Sequence, residues 1–216
     1  MGGENLRAGS FQWKAAQESP TLACTVPNLA YLSLGSNVGD REAQLREALA
    51  KLGMAGRVDA VSSFYETEPV EFTQQPWFLN CAVALKTSQT PQQLMTTILH
   101  IEQEMGRRRV QKKGPRSIDI DILLFVSGKT VTGETVTGET EDTMIDSEEL
   151  TIPHPTMHQR RFVLEPLAEI APDLVHPLLK NTIRELRDAL PEGQLVRRSK
   201  GANDRRPTTN DGSKAL

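Results

Sequence analysis

Cysteine is nearly absent, with only Cys24 and Cys81 in 216 residues. Neither sits in a disulfide-type or metal-type spacing, which excludes a disulfide-framed scaffold and a structural zinc module. Cys81 lies inside an apolar run and reads as a small buried hydrophobe. Aromatics are sparse, at 5 %. No apolar stretch approaches the roughly 20 residues of a membrane span. The first twenty residues lack the continuous apolar segment of a secretory signal. Positive charge is in deficit too, with a formal net charge of −3. A general nucleic-acid or membrane binder needs an overall or patchy positive field, so neither partner is expected. Together these absences point to a reducing cytoplasm.

What is present is an ordinary globular composition, 38 % hydrophobic and 25 % charged, enough to bury a core. The length suits one domain with flexible ends. Residues 1–28 are polar and irregular and read as a disordered leader. Residues 191–216 turn polar again, with too little apolar surface to offset the entropy of ordering them. The folded unit is therefore expected over 29–190, as a monomer.

Inside that unit the apolar spacing alternates between periods of two and 3.6. Tyr31–Leu34 reads as a strand running into a turn at Gly35-Ser36-Asn37. Asp40 caps a helix carrying Leu45, Ala48, Leu49 and Leu52. Val58–Tyr65 reads as a strand, Thr67–Pro76 as a loop, and Phe78–Leu85 as another strand. Thr90-Pro91 starts a second helix, with proline at its first position. Leu94, Ile98, Ile101 and Met105 continue it, and Gly106 ends it. Ser117–Phe125 is a further strand. Phe162–Ile170 reads as helical, and Thr182–Leu190 as a last helix capped by Asn181. The order β-α-β-β-α-β defines an α+β fold with a ferredoxin-like core, an antiparallel sheet, extra C-terminal helices and short strands. Two helices should cover one face of the sheet and leave the other for ligands. Residues 127–147 interrupt the order with a repeat, TVTGETVTGET, read as an expanded surface loop or short hairpin.

Chemistry concentrates around Asp119-Ile120-Asp121. On a strand, residues i and i+2 share a face, so the two carboxylates point the same way, about 7 Å apart at their backbones. Taken alone, such a pair favours a solvated strand edge. Just upstream, however, Arg107, Arg108, Arg109, Lys112, Lys113 and Arg116 supply six basic residues without an acid. Carboxylates can hold magnesium, which binds one or two of them together with substrate phosphates. Arginine forks grip phosphate oxygens. The combination points to a nucleotide-phosphate site. His154 could donate to a phosphate oxygen, while His100, His158 and His176 read as structural. Phe78 and Asn80 share a strand face, a ring beside an amide, which suits a flat hydrogen-bonding heterocycle.

Six segments jointly resemble one family, the 6-hydroxymethyl-7,8-dihydropterin pyrophosphokinases of folate biosynthesis. They are Leu34-Gly35-Ser36-Asn37, Ser62–Pro69, Gln75–Asn80, Glu102–Arg107, Gly114–Leu123 with its Gly-Pro-Arg-x-Ile-Asp-x-Asp, and Ile152-Pro153-His154-Pro155 running on to Arg160 and Phe162. The resemblance implies transfer of the β,γ-diphosphate of ATP to the hydroxymethyl group of the dihydropterin, leaving AMP. It implies that Asp119 and Asp121 bind two magnesium ions, with Arg107 and Arg116 also acting on the phosphates. Phe78 and Phe162 would sandwich the pterin, and Asn80, with the backbone near Thr67 and Val70, would bond its edge. Glu102, Arg109, Lys112, Ile122, Thr151, His154 and Arg160 would line the ATP side. The loops at Thr67–Pro76 and Arg107–Lys113 would act as lids. The family's aromatic before Gly-Pro-Arg is Lys113 here. The competing reading is a ferredoxin-like RNA-binding module without catalysis, which shares the strand order. The central strands lack that module's aromatic signature, and no P-loop lysine motif is present.

Overall fold

The computed structural model describes residues 24–25, 27–70, 74–107, 114–128, 130–132, 135–137 and 141–199. Strand β1, Asn28–Ser36, is buried on both faces from Ala30 onward, as a central strand must be. It runs through Gly35 and Ser36, where a turn was expected, because both residues pair across the sheet with Asn80 and Leu79. Asp40 caps helix α1, Arg41–Lys51, accepting from the Ala43 N–H at 3.0 Å.

The expected strand over Val58–Tyr65 is two strands, β2 at Arg57–Val61 and β3 at Tyr65–Thr67. The break follows from local bonding. Ser62 Oγ accepts the Ala82 N–H at 2.9 Å, and the Ser63 N–H turns to the Glu169 carboxylate at 3.0 Å. Both strands pair with β4, Phe78–Thr87. Helix α2, Pro91–Glu104, opens with a Thr90–Gln93 capping box and ends at Gly106, whose φ of 77° suits only glycine well. Strand β5 covers Asp119–Ser127.

The main sheet places β1 between β4 and β5, all antiparallel. This is the arrangement expected from β-α-β-β-α-β. Helices α1 and α2, with Leu52 just past the end of α1, bury Leu45, Leu52, Leu94, Ile98 and Ile101 against Leu32, Leu34, Val83, Leu85, Ile120 and Ile122. Truncating any of these to alanine would cost about 2–5 kcal/mol.

The opposite face is not left wholly to ligands. Helix α3, Arg161–Ile170, and α4, Ile183–Asp188, cover half of it. They pack Val163, Leu164, Leu167 and Ile183 on Tyr31, Ala82, Leu123 and Leu124. A bulge helps here. Tyr31 faces Leu124 while Leu32 faces Ile122, so Leu123 is an extra residue and both leucines reach this face. The α4 cap is Thr182 rather than Asn181, because Thr182 and Glu185 form a reciprocal capping box.

Val196–Arg198 forms an edge strand, β6, on Tyr65–Thr67. In the repeat, Thr130–Thr132 and Thr135–Thr137 form an antiparallel hairpin. Cys24 and Thr25, expected within the leader, pair with Val131 and Thr130. Residues 1–23 and 26 of the expected leader and 200–216 of the expected tail lie outside the described residues.

Candidate active site

The uncovered half of the second face holds the polar row of each central strand. Ser33 and Gly35 on β1, Phe78 and Asn80 on β4, and Asp119 and Asp121 on β5 line one cavity of about 340 Å³. Sheet periodicity does this: the six residues continue, at steps of two, the rows of Tyr31, Ala82 and Leu123 beneath α3, so each row changes from core to cavity where the helix stops. Thr67–Val70 closes one side, and Phe162, Arg160 and His154 close another. Arg107 and Arg116 complete the wall.

Asp119 is held from two directions. Arg107 donates to Oδ1 at 2.6 Å, and Arg116 pairs with Oδ2. Arg107 is in turn aimed by Glu102, which does not line the cavity. Glu102 stands on the apolar stripe of α2, one position after Ile101, and is 2 % exposed. Its Oε1 also accepts the Ile120 N–H at 2.8 Å. Burial pushes its carboxyl up, opposed by Arg107 and that N–H. It stands behind the arginine and lines neither this cavity nor the smaller hollow beside it.

Asp121 is a different case. Burial and the neighbouring Asp119 carboxylate push its carboxyl up to about 7, with Arg160 and Arg107 pulling the other way. A carboxylate whose ionisation is opposed by another carboxylate is one that a cation stabilises. The donors are hard oxygens, which suit magnesium. Among the described residues no group of three or more His, Cys, Asp or Glu could hold a metal. A cation at the pair would therefore take its remaining ligands from phosphate and water, which is magnesium's habit. The residues fit the ion.

A second hollow, about 230 Å³, adjoins the first. Met95, Ile122, Leu150 and Thr151 line it, and it shares Asp121 and His154 with the larger cavity. Ile122 and Thr151 thus stand apart from the aromatic side, with the carboxylate between. Burial, then Arg160, pushes the His154 imidazole down to about 4. The Thr156 N–H approaches its Nδ1 at 3.3 Å, so the neutral ring carries its proton on Nε2 and can donate it. Arg160 lies over the Phe162 ring, 5.6 Å from its centroid.

On the other side, Asn80 Nδ2 donates to Thr67 Oγ1 at 2.7 Å. That bond fixes the amide beside Phe78. Val70 sits exposed at the rim. Arg109 and Lys112, with the rest of 108–113, lie outside the described residues, as do 71–73 of the first expected lid.

Residue-by-residue reasoning missed Asn37 as a brace. It accepts from the Arg116 N–H at 2.8 Å and donates to Gln75 Oε1 at 3.0 Å and Pro76 O at 3.3 Å. One side chain thereby ties together three segments around the cavity. Its signal is the motif Leu34-Gly35-Ser36-Asn37. Gln75, Glu68 and Pro69, which also line the cavity, carried no chemical signal.

A carboxylate pair ringed by arginines, with an aromatic-amide cavity on one side and a hollow of mixed apolar and polar lining on the other, defines a site suited to an enzyme joining a nucleotide phosphate to a flat heterocycle. A sequence profile of the 7,8-dihydro-6-hydroxymethylpterin-pyrophosphokinase (HPPK) family matches residues 31–172. The 2-amino-4-hydroxy-6-hydroxymethyldihydropteridine pyrophosphokinase of Bacillus subtilis is 47 % identical over 145 residues, covering 66 % of this chain and 78 % of that protein. Its counterpart in Aquifex aeolicus is 38 % identical over 165 residues, covering 76 % and 92 %. The folic acid synthesis protein fol1 of Schizosaccharomyces pombe is 43 % identical over 169 residues, but this chain spans only 21 % of its length. Among solved structures, the wild-type HPPK-DHPS of Plasmodium falciparum with pterin and p-hydroxybenzoate aligns with a TM-score of 0.54 at 21 % identity. The alignment covers 76 % of this chain and 43 % of that one, and it speaks to the fold alone. The chain belongs to the HPPK family. Membership favours the enzyme reading over the RNA-binding module.

Proposed function

We propose that this chain transfers the β,γ-diphosphate of ATP to the hydroxymethyl oxygen of 6-hydroxymethyl-7,8-dihydropterin. The carrying observation is that two unlike hollows meet at Asp121 and His154. The larger, with Phe78, Phe162 and Asn80, takes the pterin: rings stack on its faces and the amide bonds its edge. The smaller, with Ile122 and Thr151, takes the adenosine end of ATP. The triphosphate then lies across the shared boundary, beside Asp119, Asp121 and the arginines.

Asp119 and Asp121 would hold magnesium, two ions on the family resemblance, and when bound these neutralise phosphate charge and polarise the attacking hydroxyl. The chain's own residues do the rest. Arg107 and Arg116 are aimed at the pair by Glu102 and Asn37, and their charge offsets that developing on the transferred group. His154 donates from Nε2 to a phosphate oxygen. The hydroxyl oxygen forms a bond to the β-phosphorus, the bond from that phosphorus to the α,β-bridging oxygen breaks, and AMP leaves. The hydroxyl proton is released. Such chemistry is mostly positioning and electrostatics, which matches a site with braced arginines.

The protein would act as a monomer in the cytoplasm, without nucleic acid or membrane. No helix among the described residues is long and apolar enough to cross a membrane. The test is product analysis. AMP and a dihydropterin diphosphate should accumulate only with ATP, magnesium and the dihydropterin together. Formation of ADP, or no turnover with pure substrates, overturns the reading.

A further inference from the structure

Helix α3 begins with a problem. Its N-cap is Arg160, whose side chain has no acceptor to offer the first free N–H groups. The acceptor comes from 32 residues away: Gln194 Oε1 accepts the Phe162 N–H at 3.3 Å. The other end of the same amide is also used, since Gln194 Nε2 donates to Glu68 O at 3.2 Å. Glu68 N donates to Leu195 O at 3.1 Å, so both backbone groups of Glu68 are bound to one dipeptide. Beyond it, β6 pairs with Thr67, Glu66 and Tyr65. Arg161 ties the same helix end to Leu190 O at 3.0 Å.

Phe162 and Glu68 belong to two neighbouring walls of the larger cavity. They reach it from different elements, and Gln194 is bonded to both. We infer that Gln194 is a positioning residue that sets the separation of the two walls and hence the affinity for the flat substrate. It does not line the cavity. It also lies beyond residues 31–172, where the family profile matches. The inference rests on the pterin reading of that cavity.

Gln194 bonds Phe162 and Glu68 rather than Ile122, Thr151 or His154 of the smaller hollow, which supplies the test. In Gln194→Met, of similar length but without the amide, KM for the dihydropterin should rise about five- to tenfold, the worth of roughly one net hydrogen bond. KM for ATP should stay within about twofold. The Phe162 amide should exchange its hydrogen faster. Gln194→Glu keeps the acceptor and should restore protection of that amide. An unchanged dihydropterin KM in Gln194→Met, or equal rises in both KM values, overturns the inference. Failure of the pterin reading is distinguishable, because the unaltered protein would then not turn over dihydropterin at all.

Discussion

Gly35 faces Asn80 across the sheet, and a β-carbon at position 35 would stand 2.5 Å from Asn80 Oδ1. The absence of a side chain at Gly35 is therefore what lets the Asn80 amide lie flat against β1 and reach Thr67. Gly35→Ala must push the amide aside and break the 2.7 Å bond to Thr67 Oγ1. Dihydropterin affinity should fall about tenfold or more, nucleotide affinity should change little, and the melting temperature should drop by a few degrees. Calorimetric titration with each ligand checks this. Unaltered pterin affinity would refute the role given to Asn80.

Asp121→Asn separates the metal's need from the fold's. The variant should lose turnover by orders of magnitude. Without divalent cation it should melt at or above the temperature of the unaltered protein, because a charge beside the Asp119 carboxylate is gone. Magnesium with an ATP analogue should raise the melting temperature of the unaltered protein and leave the variant's nearly where it was. Equal stabilisation of both would remove Asp121 from the metal site.

Glu102→Ala should destabilise the fold by about 3 kcal/mol, since a buried N–H and a guanidinium lose their shared acceptor. Glu102→Gln keeps an oxygen for Ile120 and should lose less. Denaturant unfolding measures both. Turnover should drop in both, because Arg107 is no longer held on the cavity wall. A loss below about 0.5 kcal/mol for the alanine variant contradicts the bracing role.

His154 makes stability depend on pH. Its pKa falls from the ordinary 6.5 to about 4 in the folded chain. Between those values the unfolded chain binds more protons, so the folded state loses stability as pH drops from about 6.5 towards 4 and keeps all of it above 6.5. His154→Gln lacks this dependence. The melting temperature of the unaltered protein minus that of the variant should shrink from pH 7 to pH 4.5. A constant or growing difference would mean that the ring protonates freely in the fold.

Local pattern carried much of this protein. Period-two spacing put Asp119 with Asp121 and Phe78 with Asn80 on shared faces, and that parity survives in the sheet because the pleat leaves no alternative. Caps at Asp40 and Thr90 marked helix starts through bonds that span three residues. Other features depend on partners distant in sequence. Ser62–Phe64 break a strand because Glu169, more than a hundred residues on, takes the Ser63 N–H. Half the ligand face is covered because α3 packs where Leu123 and Leu124 bulge towards it. Glu102 sits at helical spacing with the core, yet only the approach of Arg107 and Ile120 shows why a carboxylate belongs there.

Backbone periodicity and short-range bonding sufficed for the strand order and the shared faces, and the family motifs marked the segments that meet at the acidic pair. Only the tertiary structure decided that Asp121 and His154 separate two hollows, that Asn37 braces three segments, and that Gln194 spans two walls. Those are contacts between residues tens of positions apart, and nothing in local propensity records which distant group will satisfy a buried donor.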